Sequence, residues 1–123
     1  LDPSFCAIEE SHDGAPQIEP AGAHPLDESP YGVRGLAGNV RDWCADLFRN
    51  EGAPALAEGL AASPRTVRLR ADGEDLRVVR GGAFQLPARA ARAAGRGAAP
   101  AHERSAKIGF RVARTIAPDD PEG

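Results

Sequence analysis

The side chains able to do chemistry in this chain are two thiols, three imidazoles, a carboxylate next to a glycine-rich turn and a late run of arginines. Cys6 and Cys44 are the only cysteines. Two are too few for a disulfide framework. They are either one bridge or two small buried thiols. His12, His24 and His102 are the only imidazoles. None stands four residues from another, so no ready-made helical metal face is present, and they read as surface or loop histidines. Arg89, Arg92, Arg96 and Arg104 form a basic run. Such a run is either a solvated face or a means of recognising an acidic or carboxylate-bearing ligand. Gly81-Gly82 is followed by no Gly-Lys-Ser/Thr, so it is not a phosphate loop. It reads as a close backbone approach or a bulge.

The rest of the chain has to position these groups, and its composition bounds how. A length of 123 residues is about one domain. Aromatics make up 5% and Met is absent, so the core is modest and built from Ala, Val and Leu. Net charge is -3 and Lys107 is the only lysine, which argues against a nucleic-acid partner. No stretch approaches the roughly 18 apolar residues of a membrane span, so no membrane partner is expected. The chain opens on Leu1 with no charged leader before an apolar segment, which fits a processed product or a piece of a longer chain.

Residues 1–30 are rich in Pro, Gly, Asp and Ser and read as coil, with a short strand near Phe5–Ile8. Gly32, Gly35 and Gly38 make residues 31–38 a turn-rich loop. Asn39 continues it as a turn residue, tolerating positive φ or bonding its own backbone. Val40–Leu47 reads as a strand carrying Trp43, the only tryptophan, as a core residue. Residues 50–65 form an Ala-, Gly- and Pro-rich insert with a weak helix over Ala55–Ala62. Gly59 would cost that helix about 1 kcal/mol relative to Ala. Val67, Leu69 and Ala71 alternate with arginines, as do Leu76 and Val78, around the turn residues Asp72-Gly73-Glu74-Asp75. This predicts a hairpin with an arginine-covered outer face. Residues 88–99 are nearly all Ala and Arg, which by propensity is helix. Ile108–Ile116 alternates as a closing strand. Residues 117–123 are a Pro-rich acidic tail after a domain spanning 1–116.

Three separated stretches carry a resemblance. They are Gly35-Leu36-Ala37-Gly38-Asn39-Val40-Arg41-Asp42-Trp43-Cys44, Arg77-Val78-Val79-Arg80-Gly81-Gly82-Ala83-Phe84 and Ile108-Gly109-Phe110-Arg111-Val112-Ala113-Arg114. In this order they resemble the C-terminal portion of the formylglycine-generating enzyme, or sulfatase-modifying factor, family. Asp2-Pro3-Ser4-Phe5-Cys6 is similar to a further family stretch. The Tyr-Gly-Val-Arg and Trp-Cys-Ala-Asp wording is similar to bacterial relatives joined to Ser/Thr protein kinase domains. The resemblance implies an α+β, C-type-lectin-like fold, low in regular structure, of which this chain is about the second half. It also implies irregular chain and a short strand, not a helix, over 88–99. The partners it implies are the rest of the same polypeptide, including the N-terminal half of the domain and a kinase domain, and a protein or peptide ligand. Half a sheet leaves unpaired edges, so the piece alone is expected to be marginally stable.

The chemistry implied is oxidation of a protein cysteine to formylglycine on copper held by two cysteines, since thiolates suit that soft metal. The family's copper cysteines fall on Leu86 and Ala91, and a groove-lining serine on Ala83; none of the three can supply the missing group. No catalytic or cofactor-binding residue is therefore expected, and copper is not an expected cofactor. The alternatives are a non-catalytic lectin-like ligand- or peptide-binding module and the substrate-shaping half of an iron-dependent sulfoxide synthase. In the latter, iron would be held by another domain. The resemblance also implies a calcium loop, with the Gly38 and Val40 carbonyls and the Asp42 side chain as ligands. A fourth ligand position falls on Gly35, which removes one side-chain oxygen. The competing reading has Asp42 paired with an arginine. Arg80 and Arg111 are expected to tie loops through forked hydrogen bonds. Arg89, Arg92 and Arg96 border the family's substrate groove and are the candidate ligand-groove residues.

Overall fold

The computed structural model describes residues 2–48, 76–114 and 116–117. Its regular structure is one four-stranded mixed sheet and two short 3-10 turns. Strands β1 (Arg41–Leu47), β2 (Leu76–Arg80), β3 (Arg96–Pro100) and β4 (Ile108–Gly109) lie in the order β3-β2-β1-β4. The 3-10 turns are Glu9–Ser11 and Ala88–Ala91.

β2 is a central strand, and its sequence shows why. Successive residues of a strand face opposite sides. Val78 and Val79 are both buried, so apolar material packs on both faces there. β3 reads Arg-Gly-Ala-Ala-Pro, a poor strand by propensity. It forms because β2 supplies five consecutive antiparallel partners, from Leu76↔Pro100 to Arg80↔Arg96. Pro100 is tolerated at the end of this edge strand, where a missing N–H costs little. β1 pairs antiparallel with β2 through Trp43↔Val79 and Leu47↔Arg77, with an irregularity between the two. On its other side it pairs in parallel with β4 through Arg41↔Ile108 and Asp42↔Gly109.

The core is Cys6, Ala7, Ile8, Leu47, Val78, Val79, Ala83, Phe84 and Ala99. Residues from four distant stretches therefore meet around the sheet. Ala7 accepts a hydrogen bond from Asn39 N at 2.7 Å, and Asn39 accepts one from Phe84 N at 2.8 Å. These bonds join the first loop to the loop before β1 and the loop after β2.

Several sequence expectations are corrected. No α-helix occurs among the described residues, so only the β part of the α+β expectation is found there. Phe5–Ile8 is not a strand. Cys6, Ala7 and Ile8 are buried, and a 3-10 turn follows, because Ser11 Oγ draws the chain back by accepting from Ile8 N and donating to Pro3 and Cys6 carbonyls. The closing strand is Ile108–Gly109 rather than Ile108–Ile116; beyond it Phe110 and Val112 are 80% and 90% exposed, so the apolar alternation finds nothing to pack on. Trp43 is half-buried, since the described elements provide no helix or second sheet to cover its face of β1. Residues 88–99 do form a short turn and an edge strand, not a helix. The weak helix over Ala55–Ala62, the hairpin arm Val67–Ala71 with its turn, and residues 118–123 lie outside the described residues.

Candidate functional site

The best-built polar site lies where the glycine-rich loop enters β1. Asp27 starts it. This carboxylate is buried, and both its oxygens accept from Ala37 N at 3.1 Å, while its carbonyl accepts from Gly35 N. The loop is thus curled around one acidic side chain. Gly38 then passes against the core: a Cβ there would stand 2.5 Å from Ala7 O and 2.9 Å from Cys6 Cβ. Only glycine fits that approach. Asn39 follows at φ 69°, a left-handed conformation that Asn tolerates better than most residues. Its side chain does not bond its own backbone. Nδ2 donates to Glu19 O at 2.9 Å and Oδ1 accepts from Glu19 N at 3.0 Å.

Asp42 is the second residue of β1. Arg111, just past β4, donates from Nε to Asp42 Oδ2 at 2.7 Å. Its other two nitrogens donate to the Arg34 and Gly35 carbonyls at 3.1 Å each. One planar fork therefore ties a strand carboxylate to two carbonyls of the loop. These groups border a cleft of about 150 Å³ whose walls include His24, Asn39, Asp42, Phe110 and Arg111.

The three sequence-predicted metal ligands Gly38, Val40 and Asp42 all line this cleft, as does Gly35. Calcium takes six to eight oxygens. The expected donor set contributes one carboxylate, Asp42, which is engaged by a guanidinium, and the cleft's other carboxylate, Asp27, is taken up by Ala37 N. As arranged, these residues do not fit calcium. Arg111 supplies positive charge at the carboxylate and also satisfies the neighbouring carbonyls.

The second region lies after β2. Arg80 Nη1 donates to the carbonyls of Ala93 and Gly95, at 3.1 and 3.3 Å, and so holds the turn before β3. Gly81, at φ 87°, and Gly82 let the loop at Leu36 and Ala37 approach: Cβ atoms there would meet Leu36 O at 2.7 Å and Ala37 O at 2.5 Å. Ala83 is wholly buried. Leu86 accepts a backbone bond from Glu9 N, and Ala91 ends the 3-10 turn whose first residue, Ala88, donates its N–H to the Glu10 carboxylate. Arg89 and Arg92 line a shallow second cleft with Ala94 and Gly95, about 180 Å³. Arg96 is not in that lining; its guanidinium stacks over Phe48, 5.0 Å from the ring centre. Two of the three expected groove arginines are thus brought together.

Cys6 and Cys44 are both free thiols. Burial, and then the charges of Asp27 and Glu10, push the Cys6 thiol up to about 11. Burial also raises Cys44. Both are therefore poor nucleophiles at neutral pH. Among the described residues no group of three His, Cys, Asp or Glu side chains is arranged to hold a metal ion. His12 and His24 are not isolated surface residues: both meet the Glu19 carboxylate.

Sequence reasoning passed over Asp27, Glu19 and Arg41. Asp27 had a signal, since an Asp before Ser-Pro and a glycine-rich loop is a turn organiser. Arg41 had none. It donates from Nε to Gly81 O at 3.0 Å, and its guanidinium lies against Gly97 on β3, so it reaches across β2. Burial holds it below the usual arginine range.

Comparison with known proteins adds the following. Residues 4–116 match the family model described as the sulfatase-modifying factor enzyme 1-like domain. None of the curated proteins matches the chain. Among solved structures, PvdO from Pseudomonas aeruginosa is similar, with a TM-score of 0.67 and 27% sequence identity. The alignment covers 88% of this chain and 38% of that one, so the chain spans well under half the length of its structural relative.

Proposed function

The chain belongs to the sulfatase-modifying factor enzyme 1-like family, and from that premise we propose that it is a scaffold and ligand-shaping portion of such a domain, without copper-dependent oxidase chemistry of its own. The observation that carries this reading is the second region. At the positions where the resemblance puts copper ligands stand Leu86 and Ala91, and the serine position is the fully buried Ala83. The two cysteines present elsewhere are held as thiols. Incubation of the full-length protein with a Cys-x-Pro-x-Arg peptide, copper and oxygen should give no aldehyde. Aldehyde formation would overturn the proposal.

The rest of a family domain is the partner this reading requires. Its support is the run of exposed apolar side chains after β4, with Phe110, Val112 and Ile116 at 80%, 90% and 53% exposure. An apolar edge of this kind suits docking against further chain better than solvent. The 123-residue piece alone should accordingly melt at low temperature or self-associate. A sharp, high-temperature melt of a monomer counts against it.

A binding role has its own support in the cleft formed by Arg89 and Arg92. Two guanidinium groups beside a backbone turn suit a carboxylate or phosphate group on a peptide. Replacing Arg92 by Ala should weaken binding of an acidic peptide by several-fold at low salt; equal binding by both proteins would rule the cleft out.

A further inference from the structure

A second feature of the molecule is independent of the copper positions. It is the meeting of Ser4, Glu19 and His24 at the rim of the first cleft. His24 Nδ1 lies 2.8 Å from the Ser4 carbonyl oxygen. A carbonyl can only accept, so Nδ1 carries a proton. Nε2 faces Glu19 Oε2 at hydrogen-bond contact. A carboxylate oxygen also only accepts, so Nε2 needs a proton too. The raised value of His24 keeps that proton on the ring. Both contacts are therefore satisfied together only by the imidazolium.

The surroundings suit that charge. Glu19 is fixed from behind by the two Asn39 side-chain bonds to its backbone, which do not depend on pH. Asp27, at the end of the turn that begins at His24, adds a second negative charge nearby. His12 stands on the far carboxylate oxygen, with Nε2 3.4 Å from Glu19 Oε1 and buried without a hydrogen bond. One carboxylate thus serves two rings, and the ring with both nitrogens engaged is His24.

We propose that His24 is a proton-operated clasp: as imidazolium it ties its own turn to Ser4 and Glu19 at the wall of the Asp42–Arg111 cleft, and on losing a proton it lets that turn go. When Nε2 is bare, its lone pair confronts the carboxylate, and only one of the two contacts survives. Asn39 keeps Glu19 in place and the core holds Cys6–Ile8, so the part that is released is His24 with its own turn, and the Ser4 end of the chain. His24 itself lines the cleft, and the wall is complete only while the ring keeps both protons.

The direction of titration agrees. Burial lowers the His24 value, but the Ser4 carbonyl, the Glu19 carboxylate and the Asp27 charge outweigh it and leave it raised. A raised folded value means the stabilisation is complete below the ordinary imidazole range. It is lost as pH rises through His24's own value.

Histidine NMR titration of the full chain, with amide hydrogen exchange measured across pH 5 to 9, tests this. His24 should titrate above the ordinary value of about 6.5. Exchange at the amides of Phe5, Ala23 and Asp27, which flank the two ends of the clasp, corrected for its intrinsic pH dependence, should rise through the same midpoint, by about tenfold for each unit of elevation. Glu19→Gln should lower the midpoint. A His24 midpoint at or below the ordinary value overturns the clasp, as does exchange that stays flat through it. Both readouts come from the unsubstituted chain, so a poorly folded variant does not blunt the test.

Discussion

Two loop systems frame the start of β1 and the end of β2, and they are built alike but stocked differently. Each is drawn in by glycine, at Gly38 in the first and at Gly81-Gly82 in the second. Each is fastened by one arginine, Arg111 through all three of its nitrogens in the first and Arg80 through Nη1 alone in the second. The first is full of ionisable groups that meet one another: Glu19 with His24, Asp42 with Arg111. The second presents the buried Ala83 and the half-buried Leu86 and Ala91, with Arg89 and Arg92 on its rim. Two loop systems with like fastenings can thus carry quite different side chains. Fold and chemistry are separable here at the level of single residues.

The sharpest way to break the likeness is at the glycines. Gly38→Ala would press a Cβ to 2.5 Å from Ala7 O, 2.9 Å from Ala7 N and 2.9 Å from Cys6 Cβ. Backbone stands on one side of it, so the loop itself has to shift, at about 3 kcal/mol. Gly82→Ala meets backbone at Ala37 O, 2.5 Å away, and the small Ala91 at 3.1 Å. Its cost is about 2 kcal/mol, since Ala91 sits on a short 3-10 turn with some room to give. Urea denaturation of both variants checks the order. Equal stability of Gly38→Ala and the parent would mean the loop at Gly38 is not held against Ala7.

The arginines come next. Arg111→Lys keeps a charge but loses the fork, and with it the bonds to the Arg34 and Gly35 carbonyls. Asp42, with its side chain 14% exposed, loses a well-aligned partner. A loss of about 2 kcal/mol is expected, discounted from a fully buried pair because Arg111 is 37% exposed. Arg80→Lys gives up two bonds to neutral carbonyls from an exposed side and should cost about 1 kcal/mol. The gap between the two is the measure of what the carboxylate adds. If the melting points fall equally, Asp42 contributes nothing beyond a carbonyl.

How much of this was legible in the sequence follows the same division. β1 and β2 were readable because Val40–Leu47 and Leu76–Val78 carry apolar residues a strand can bury on a sheet. Arg80 and Arg111 were readable because each stands in a motif whose glycines mark close backbone approach. β3 was not readable from propensity, because Ala and Arg favour helix and only the partner strand decides otherwise. The Phe5–Ile8 and Phe110–Ile116 errors share a cause. An alternating apolar stretch predicts a strand only where a partner edge exists, and sequence does not show edges. The His24–Glu19 contact was illegible for a different reason. The two are five residues apart on irregular chain, where spacing fixes no geometry.

The smallest expected effect is the one that bears most on the first loop. Gly38, Val40 and Asp42 line one cleft, as a calcium loop would require, yet Arg111 stands at the carboxylate. A divalent ion would have to displace that guanidinium, break its bonds to Arg34 O and Gly35 O, and then find six or more oxygens where Gly35 contributes no side chain. Each of those steps opposes binding, and nothing in the donor set offsets them. Adding millimolar Ca²⁺ to chelator-treated protein should therefore leave the melting temperature unchanged. The control that gives this result meaning is Arg111→Ala, in which Asp42 is released. If calcium raises the melting point of the variant and not of the parent, the arginine is holding the place of the ion. If it raises the parent's by several degrees, the Asp42–Arg111 pair yields to calcium, and the first loop is a cation site after all.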